Sequence, residues 1–229
     1  MSVAGIVKTA REKSVAPHLK VNEIYATLQG ESSYAGLPSV FVRLTGCALR
    51  CVWCDSEFSF YEGTRQSIEE VLQQVRSHGL PLVEITGGEP LLQPGVHPLI
   101  RSLLDEGRTV LIETGGDQDI SRADPRAVVI MDIKCPGSGM QERMDWLNIE
   151  RLLPHHEVKF VVKDRSDFEW AKGILARHRL AERCRVLMGC VFGDLEPCEL
   201  AAWILEDRLP VRFQLQMHKV IWAPEERRR

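Results

Sequence analysis

Cys47, Cys51 and Cys54 share one short run, Gly46-Cys47-Ala48-Leu49-Arg50-Cys51-Val52-Trp53-Cys54-Asp55. Thiolates packed this densely repel one another, so such a loop ordinarily shares a metal ion or a cluster among them. Three ligands make an incomplete set. A structural zinc ion takes four protein ligands and closes its tetrahedron, whereas a cubane iron–sulfur cluster held by three cysteines leaves one iron open to a substrate or cofactor. At this level zinc stays open, because Cys135, Cys184, Cys190, Cys198 or a histidine can supply a fourth ligand from a distance. A disulfide framework does not fit. The cysteines number 7, and Met1 to Lys20 lacks the apolar core of a secretory signal.

A second run, Thr86-Gly87-Gly88-Glu89-Pro90, is on its own no more than a turn signal. At a strand end its glycines allow a backbone to approach a ligand closely, and its carbonyls and Glu89 can bind an ammonium group.

These runs must be held by regular elements. Short β-branched segments recur roughly every 20 to 30 residues from Leu82 onward: Leu82 to Thr86, Thr109 to Glu113, Val128 to Ile133, Val158 to Val162, Arg185 to Met188 and Val211 to Leu215. Ser39 to Leu44 adds a strand directly before the cysteines. Ser67-Ile68-Glu69-Glu70 reads as a capping box that opens a helix through Arg76, closed by Gly79 and Pro81. Further helices are expected over Pro94 to Glu106, Ser166 to His178 and Glu196 to Asp207. Valine-rich strands alternating with such helices imply parallel strands joined by crossovers, hence an α/β fold. There are too few units for a full eight-fold barrel, so the expected architecture is an incomplete, TIM-like (β/α)6 barrel. Functional residues collect at the carboxyl ends of its strands. Both motifs fall there, with Glu113-Thr114-Gly115-Gly116 and Asp132-Ile133-Lys134 after the next two strands.

With 229 residues, 44% hydrophobic and 27% charged, the chain has material for one core and is expected to form a single domain, with 1–19 as an N-terminal extension and 220–229 as a C-terminal tail. No stretch approaches the roughly 20 apolar residues that cross a bilayer, so a soluble, cytoplasmic protein is expected. The net charge of −3, with basic residues scattered among acidic ones, argues against nucleic acid as a partner. Arg227-Arg228-Arg229 reads as a solvated tail.

Cys47-x3-Cys51-x2-Cys54 with an aromatic residue before the third cysteine, followed by Gly87-Gly88-Glu89-Pro90 in a βα-repeat chain, resembles the radical S-adenosylmethionine enzymes. The resemblance implies that Cys47, Cys51 and Cys54 hold a [4Fe-4S] cluster whose open iron binds S-adenosylmethionine. One-electron reduction would then yield a 5′-deoxyadenosyl radical that abstracts hydrogen from a substrate. The flanks look like one branch of that superfamily. Tyr25-Ala26-Thr27-Leu28-Gln29-Gly30-Glu31-Ser32, Phe41-Val42-Arg43-Leu44-Thr45, Cys54-Asp55-Ser56, Met131-Asp132-Ile133-Lys134, Val158-Lys159-Phe160-Val161 and Gln214-Leu215-Gln216-Met217-His218-Lys219 resemble the 7-carboxy-7-deazaguanine synthases, over nearly the whole chain after residue 20.

That resemblance implies a lyase that contracts 6-carboxy-5,6,7,8-tetrahydropterin to 7-carboxy-7-deazaguanine with loss of ammonia, on the route to queuosine, a tRNA modification. It implies catalytic use of S-adenosylmethionine, dependence on Mg²⁺, reduced flavodoxin as electron donor and a homodimer. Substrate contacts would come from Leu28, Gln29, Gly30, Arg43 and Thr86: the Gln29 amide pairs with the heterocycle, and Arg43 meets the substrate carboxylate, an ordinary ion pair being the alternative for Arg43. Cofactor contacts would come from Trp53, Cys54, Asp55, Gly88, Asp132, Ile133 and Lys134, with Met188, Gly189, Cys190 and Val191 closing the adenosine side. Ser56 stands where the family usually has threonine as a Mg²⁺ ligand, and Gly189-Cys190 where it often has serine and proline. Cys135, Cys184, Cys190 and Cys198 are expected to be packing thiols, and Glu113 and His218 structural groups. Two other readings share the cysteine spacing: a glycyl-radical activase, which needs a protein-docking face, and a non-catalytic zinc or iron–sulfur module.

Overall fold

The computed structural model describes residues 18–222. The N-terminal extension up to residue 17, and the tail from 223 with its arginine run, lie outside the described residues. Strands are β1 (His18–Leu28), β2 (Pro38–Leu44), β3 (Thr64–Ser67), β4 (Leu82–Gly87), β5 (Thr109–Thr114), β6 (Val128–Asp132), β7 (Glu157–Val162), β8 (Arg185–Cys190) and β9 (Arg212–Phe213). They form one sheet in the order β3-β1-β2-β4-β5-β6-β7-β8-β9. From β2 to β9 every neighbouring pair is parallel, while β1 and β3 add an antiparallel edge. β2 and β4 through β8 are the strands of the expected partial barrel.

Helices are α1 (Ile68–His78), α2 (Val96–Asp105), α3 (Asn148–Arg151), α4 (Arg165–His178), α5 (Leu180–Arg183), α6 (Pro197–Glu206) and α7 (Met217–Ile221). The capping box forms as read: Ser67 Oγ accepts the Glu70 amide, and the Glu70 carboxylate accepts the Ser67 amide at 2.7 Å. In α2, Val96, Leu99, Ile100 and Leu103 recur at helical spacing, and all four are buried. Strand–helix alternation is less regular than expected. A single 3₁₀ turn, Ile120–Arg122, joins β5 to β6, and only 3₁₀ turns and the four-residue α3 join β6 to β7. β9 keeps two residues of the expected Val211 to Leu215 strand. Residues 18–28, which the apolar pattern leaves unassigned, form the longest strand, because its alternation is broken by the buried Glu23.

The loop from β1 to β2 plugs the amino-terminal mouth of the barrel. Tyr34 packs against Leu82, Leu111, Val128 and Ile130. Ser33 caps the fully buried Glu157, whose carboxylate also receives Arg185 at 3.0 Å. Gln29, Gly30 and Glu31, ahead of this plug, become the floor of the interior cavity.

Beside that mouth, His156 is buried, and its Nδ1 accepts the Leu153 amide. Burial, helped by His155, pushes its pKa down to about 4. The unfolded chain therefore binds this proton more readily than the folded one. The neutral ring's contribution is complete above about pH 6.5 and is lost as the pH falls toward 4, by up to about 3 kcal/mol. We expect His156→Phe to flatten that part of the stability profile, measured by urea unfolding between about pH 7 and 4.5.

Candidate active site

The carboxyl ends of the parallel strands surround a cavity of about 510 Å³, with the cysteine loop at its outer rim. All seven cysteines are free thiols, and Cys47, Cys51 and Cys54 are half-buried on the cavity wall. Burial pushes the Cys47 thiol up to about 11, with Glu89 and Asp117 adding to the effect. Burial also raises Cys51, although the Lys134 ammonium opposes it. Among the described residues no three His, Cys, Asp or Glu side chains are close enough to share one ion. Three thiols on one cavity wall match the ligand set of a cluster with one open iron.

The glycine motif proves to hold the cysteine loop in place. Gly88 N–H donates to Leu44 O at 3.3 Å and Glu89 N–H to Gly46 O at 2.7 Å. A Cβ on Gly88 would lie 2.3 Å from Gly46 O and 2.6 Å from Cys47 Cβ, and one on Gly87, at φ +146°, 2.2 Å from Leu44 O. Only glycines let the end of β4 press flat against the start of the cysteine loop. Glu89 is not available to an ammonium group: it is buried, and it accepts the Leu91 amide (3.0 Å), the Gly115 amide (2.7 Å) and the Thr114 hydroxyl (2.8 Å). Burial still pushes its pKa up to about 7. Gly88→Ala must displace backbone, so we expect a loss of about 1–3 kcal/mol in unfolding free energy and a lower iron content after reconstitution.

Trp53, Cys54, Asp55, Gly88, Asp132, Lys134 and Val191 line the cavity as expected. Asp132 Oδ2 receives Lys134 at 2.8 Å. Ile133, Met188 and Cys190 do not line it. Their side chains belong to the apolar core, and Gly189 backs onto Gln214 O, where a Cβ would approach to 2.8 Å. In β8 alternate residues face opposite ways, so Val191 and the adjoining Phe192 alone of this segment reach the cavity. Cys135 and Cys184 are buried packing thiols, as expected, but Cys198 is exposed at the start of α6.

Leu28, Gln29, Gly30, Arg43, Ser56 and Thr86 also line the cavity. The Gln29 amide is spent within the protein: its oxygen accepts the Glu31 and Ser32 amides, each at 3.0 Å, and its Nε2 donates to Glu84 at 2.9 Å. Arg43 forms the ordinary ion pair, with Glu23 at 3.0 Å, and donates to Tyr25 OH at 3.2 Å. Ser56 Oγ lies 3.8 Å from Cys54 Sγ.

Residues that motif reading passes over complete the site. Lys159, in the middle of β7, is buried and pairs with Glu31 at 2.8 Å and with Glu113. Glu84 is buried next to Glu113. Glu113 and His218, read as structural groups, both line the cavity, and His218 Nδ1 stands 3.8 Å from Glu31. Residues 216–219 strap the open side of the barrel: Gln216 Nε2 donates to Glu31 at 3.0 Å, Met217 N–H to Gly30 O, and Lys219 pairs with Asp55 at 2.9 Å. A charge set within an apolar strand, such as Glu84 in Leu82-Val83-Glu84-Ile85 or Lys159 in Val158-Lys159-Phe160, was the available signal.

A family model described as the Radical SAM superfamily matches residues 41–126. Over 212 residues the chain is 46% identical to the 7-carboxy-7-deazaguanine synthase of Chlorobaculum tepidum, covering 91% of this chain and 96% of that protein. It is 43% identical over 222 residues to the enzyme of that name from Koribacter versatilis, covering 90% and 98%. The crystal structure of QueE from Escherichia coli superposes with a TM-score of 0.73 at 25% identity, over 87% of this chain and 94% of that one. A [4Fe-4S] cluster and S-adenosylmethionine go with this superfamily, and three half-buried free thiols on the wall of one cavity fit them. Sequence identity sustained along the chain, together with this shared fold, shows that the protein belongs to the 7-carboxy-7-deazaguanine synthase family of radical S-adenosylmethionine enzymes.

Proposed function

We propose that this chain converts 6-carboxy-5,6,7,8-tetrahydropterin to 7-carboxy-7-deazaguanine with release of ammonia, on the route to queuosine. The observation that carries the reading is the juxtaposition of a three-cysteine rim with a polar floor, the buried Glu84 and Lys159 and the half-buried Glu31 and Glu113, in one cavity. The rim suits a cluster with one open iron, and the floor suits a polar heterocycle.

When bound, a reduced [4Fe-4S] cluster and S-adenosylmethionine would supply the radical chemistry that removes the hydrogen atom at C6 of the substrate. The chain's own part is binding, orientation and the exclusion of water. Cys47, Cys51 and Cys54 would hold the cluster, and Gly88 keeps their loop against β4. Trp53, Asp55, Asp132, Lys134 and Val191 surround the cofactor, with the backbone of Ile133 and of the 188–190 segment behind them. Thr86 and the Leu28-Gln29-Gly30 backbone face the pterin, while Arg43, tied to Glu23, presents a positive edge to its carboxylate. The Ser56 hydroxyl would hold Mg²⁺, which would neutralise substrate oxygens during ring contraction. Val52, 69% exposed on the cysteine loop, leaves a donor such as reduced flavodoxin a short approach. The reading extends to a single-domain, cytoplasmic homodimer.

The test is anaerobic reconstitution with iron and sulfide, followed by dithionite and S-adenosylmethionine. Release of 5′-deoxyadenosine is expected. Its absence from a protein that has taken up iron overturns the radical reading.

A further inference from the structure

Asp117 follows Gly115-Gly116 just past the carboxyl end of β5, behind the cysteine loop. A Cβ on Gly115 would meet Leu49 Cδ1 at 2.7 Å, Glu89 Oε2 at 3.5 Å and Asp117 Oδ1 at 3.6 Å. A bare Gly115 thus lets the cysteine loop, the glycine motif and Asp117 close on one point. Two carboxyl groups meet there, and both disfavour negative charge on Cys47. Neither is among the residues that line the cavity, so what they exert on a group bound in it is a field and not a contact.

The two carboxyl groups are held differently. Glu89 accepts the Leu91 and Gly115 amides and the Thr114 hydroxyl, and so ties the end of β4 to the end of β5. Asp117 makes no such tie. Its Oδ2 accepts the side-chain amide of the adjoining Gln118 at 2.8 Å, and its Oδ1 is buried with no hydrogen-bond partner among the described residues. The cations of the cysteine wall are turned elsewhere: Arg50 is exposed and donates to Cys47 O at 2.8 Å and Leu49 O at 2.6 Å, while Lys134 pairs with Asp132 on the Cys51 side. A buried carboxylate oxygen without a donor costs stability, and an asparagine would fill the same space without the charge. The charge itself is therefore what Asp117 offers.

The potential of an iron–sulfur cluster depends on its net charge, on hydrogen bonds to its sulfurs and on charges beside it in a medium of low dielectric. Reduction moves one electron from an external donor such as dithionite into the cluster, which passes from 2+ to 1+. A fixed negative charge beside one ligand opposes that gain and makes the reduced form a stronger reductant.

We propose that Asp117 lowers the reduction potential of the cluster by keeping a negative charge behind Cys47, and so strengthens the reduced cluster as electron donor to S-adenosylmethionine. This rests on the cluster assignment and is independent of the pterin reading.

The experiment is an anaerobic redox titration of the reconstituted protein without S-adenosylmethionine, in which electron paramagnetic resonance follows the one-electron-reduced cluster. At a fixed poise Asp117→Asn is expected to raise the ratio of reduced to oxidised cluster about 10-fold, which for one electron is about 59 mV. Asp117→Glu, which keeps the charge, should stay within about 2-fold of wild type. Asp119→Asn should do the same, because Asp119 is exposed and pairs with Arg151 at 3.1 Å. If Asp117→Asn takes up too little iron to titrate, Asp117→Ser removes the same charge and carries the same expectation. A merely structural role would change iron content and leave the potential of the loaded fraction where it was. An unchanged or lower potential in the neutral variants, an equal rise in Asp117→Glu, or loss of the cluster from both neutral variants overturns the proposal. A wild type that takes up iron and sulfide yet never gives the signal of a reduced [4Fe-4S] cluster removes the cluster assignment and the role of Asp117 together.

Discussion

Cys51→Ala is expected to abolish both the brown chromophore and the cleavage of S-adenosylmethionine, whereas Cys198→Ala leaves both at wild-type level. Cys51 sits between Cys47 and Cys54 on the rim of the cavity, and its removal reduces a three-thiolate set to two. No other thiol is placed to replace it. Cys135 is 1% exposed, and burial raises its pKa well above the ordinary thiol range, so it is a poor source of thiolate. Cys184 and Cys190 are packed in the core. Cys198 is exposed on α6 and does not line the cavity, which makes it the control for nonspecific effects of losing a thiol. Iron analysis of the reconstituted wild type should give about four irons per chain, and of Cys51→Ala a small fraction of that. A Cys51→Ala protein that keeps its chromophore and still forms 5′-deoxyadenosine would remove the cysteine triad from the mechanism.

Lys159→Met carries the second large effect, on stability as well as activity. The buried ammonium neutralises Glu31 and Glu113 and stands 3.9 Å from Asp132. Removing one partner of a buried ion pair costs about 3–5 kcal/mol, because the opposite charges stay behind without compensation. The pH dependence follows from Glu31. Burial raises its pKa, but Lys159, then His218 and Gln216, outweigh burial and hold it well below the ordinary carboxylate range. In the wild type that contribution is present above about pH 4.5 and is lost on further acidification. In Lys159→Met the pull is gone and burial dominates, so stability should rise as the pH falls from about 7.5 toward 5.5 and the carboxyls take up protons. Urea unfolding at the two pH values checks both points: a deficit of several kcal/mol near neutrality that narrows in acid. Activity should fall by about 100-fold or more, since the floor that orients the substrate loses the buried cation that pairs with Glu31 and Glu113.

The parts of this molecule that could be read in advance were those written in local spacing. The cysteine triad, the capping box Ser67 to Glu70 and the α2 face of Val96, Leu99, Ile100 and Leu103 depend on neighbours along the chain, and they stand where they were expected. The use of Gly87-Gly88 was not legible, because it depends on β2 lying beside β4, a pairing between distant segments. The same holds for Gln29, whose amide faces Glu84 across 55 positions of sequence. Strand alternation turns the Met188 and Cys190 side chains into the core, so that segment can meet a ligand only through its backbone and through Val191, which lines the cavity. Residues 118–126 are polar and hold no helical stripe, which is why β5 reaches β6 through a turn. Lys159 and Glu84 were visible as charges inside apolar strands, but an argument from periodicity counts their neighbours and discards them.

The most direct measurement of the central claim gives reconstituted protein dithionite, S-adenosylmethionine, Mg²⁺ and 6-carboxy-5,6,7,8-tetrahydropterin under anaerobic conditions, and follows the mixture by mass spectrometry. The account predicts a product lighter than the substrate by one ammonia, formed only when reductant and S-adenosylmethionine are both present. Formation of 5′-deoxyadenosine with the pterin left unchanged would contradict it.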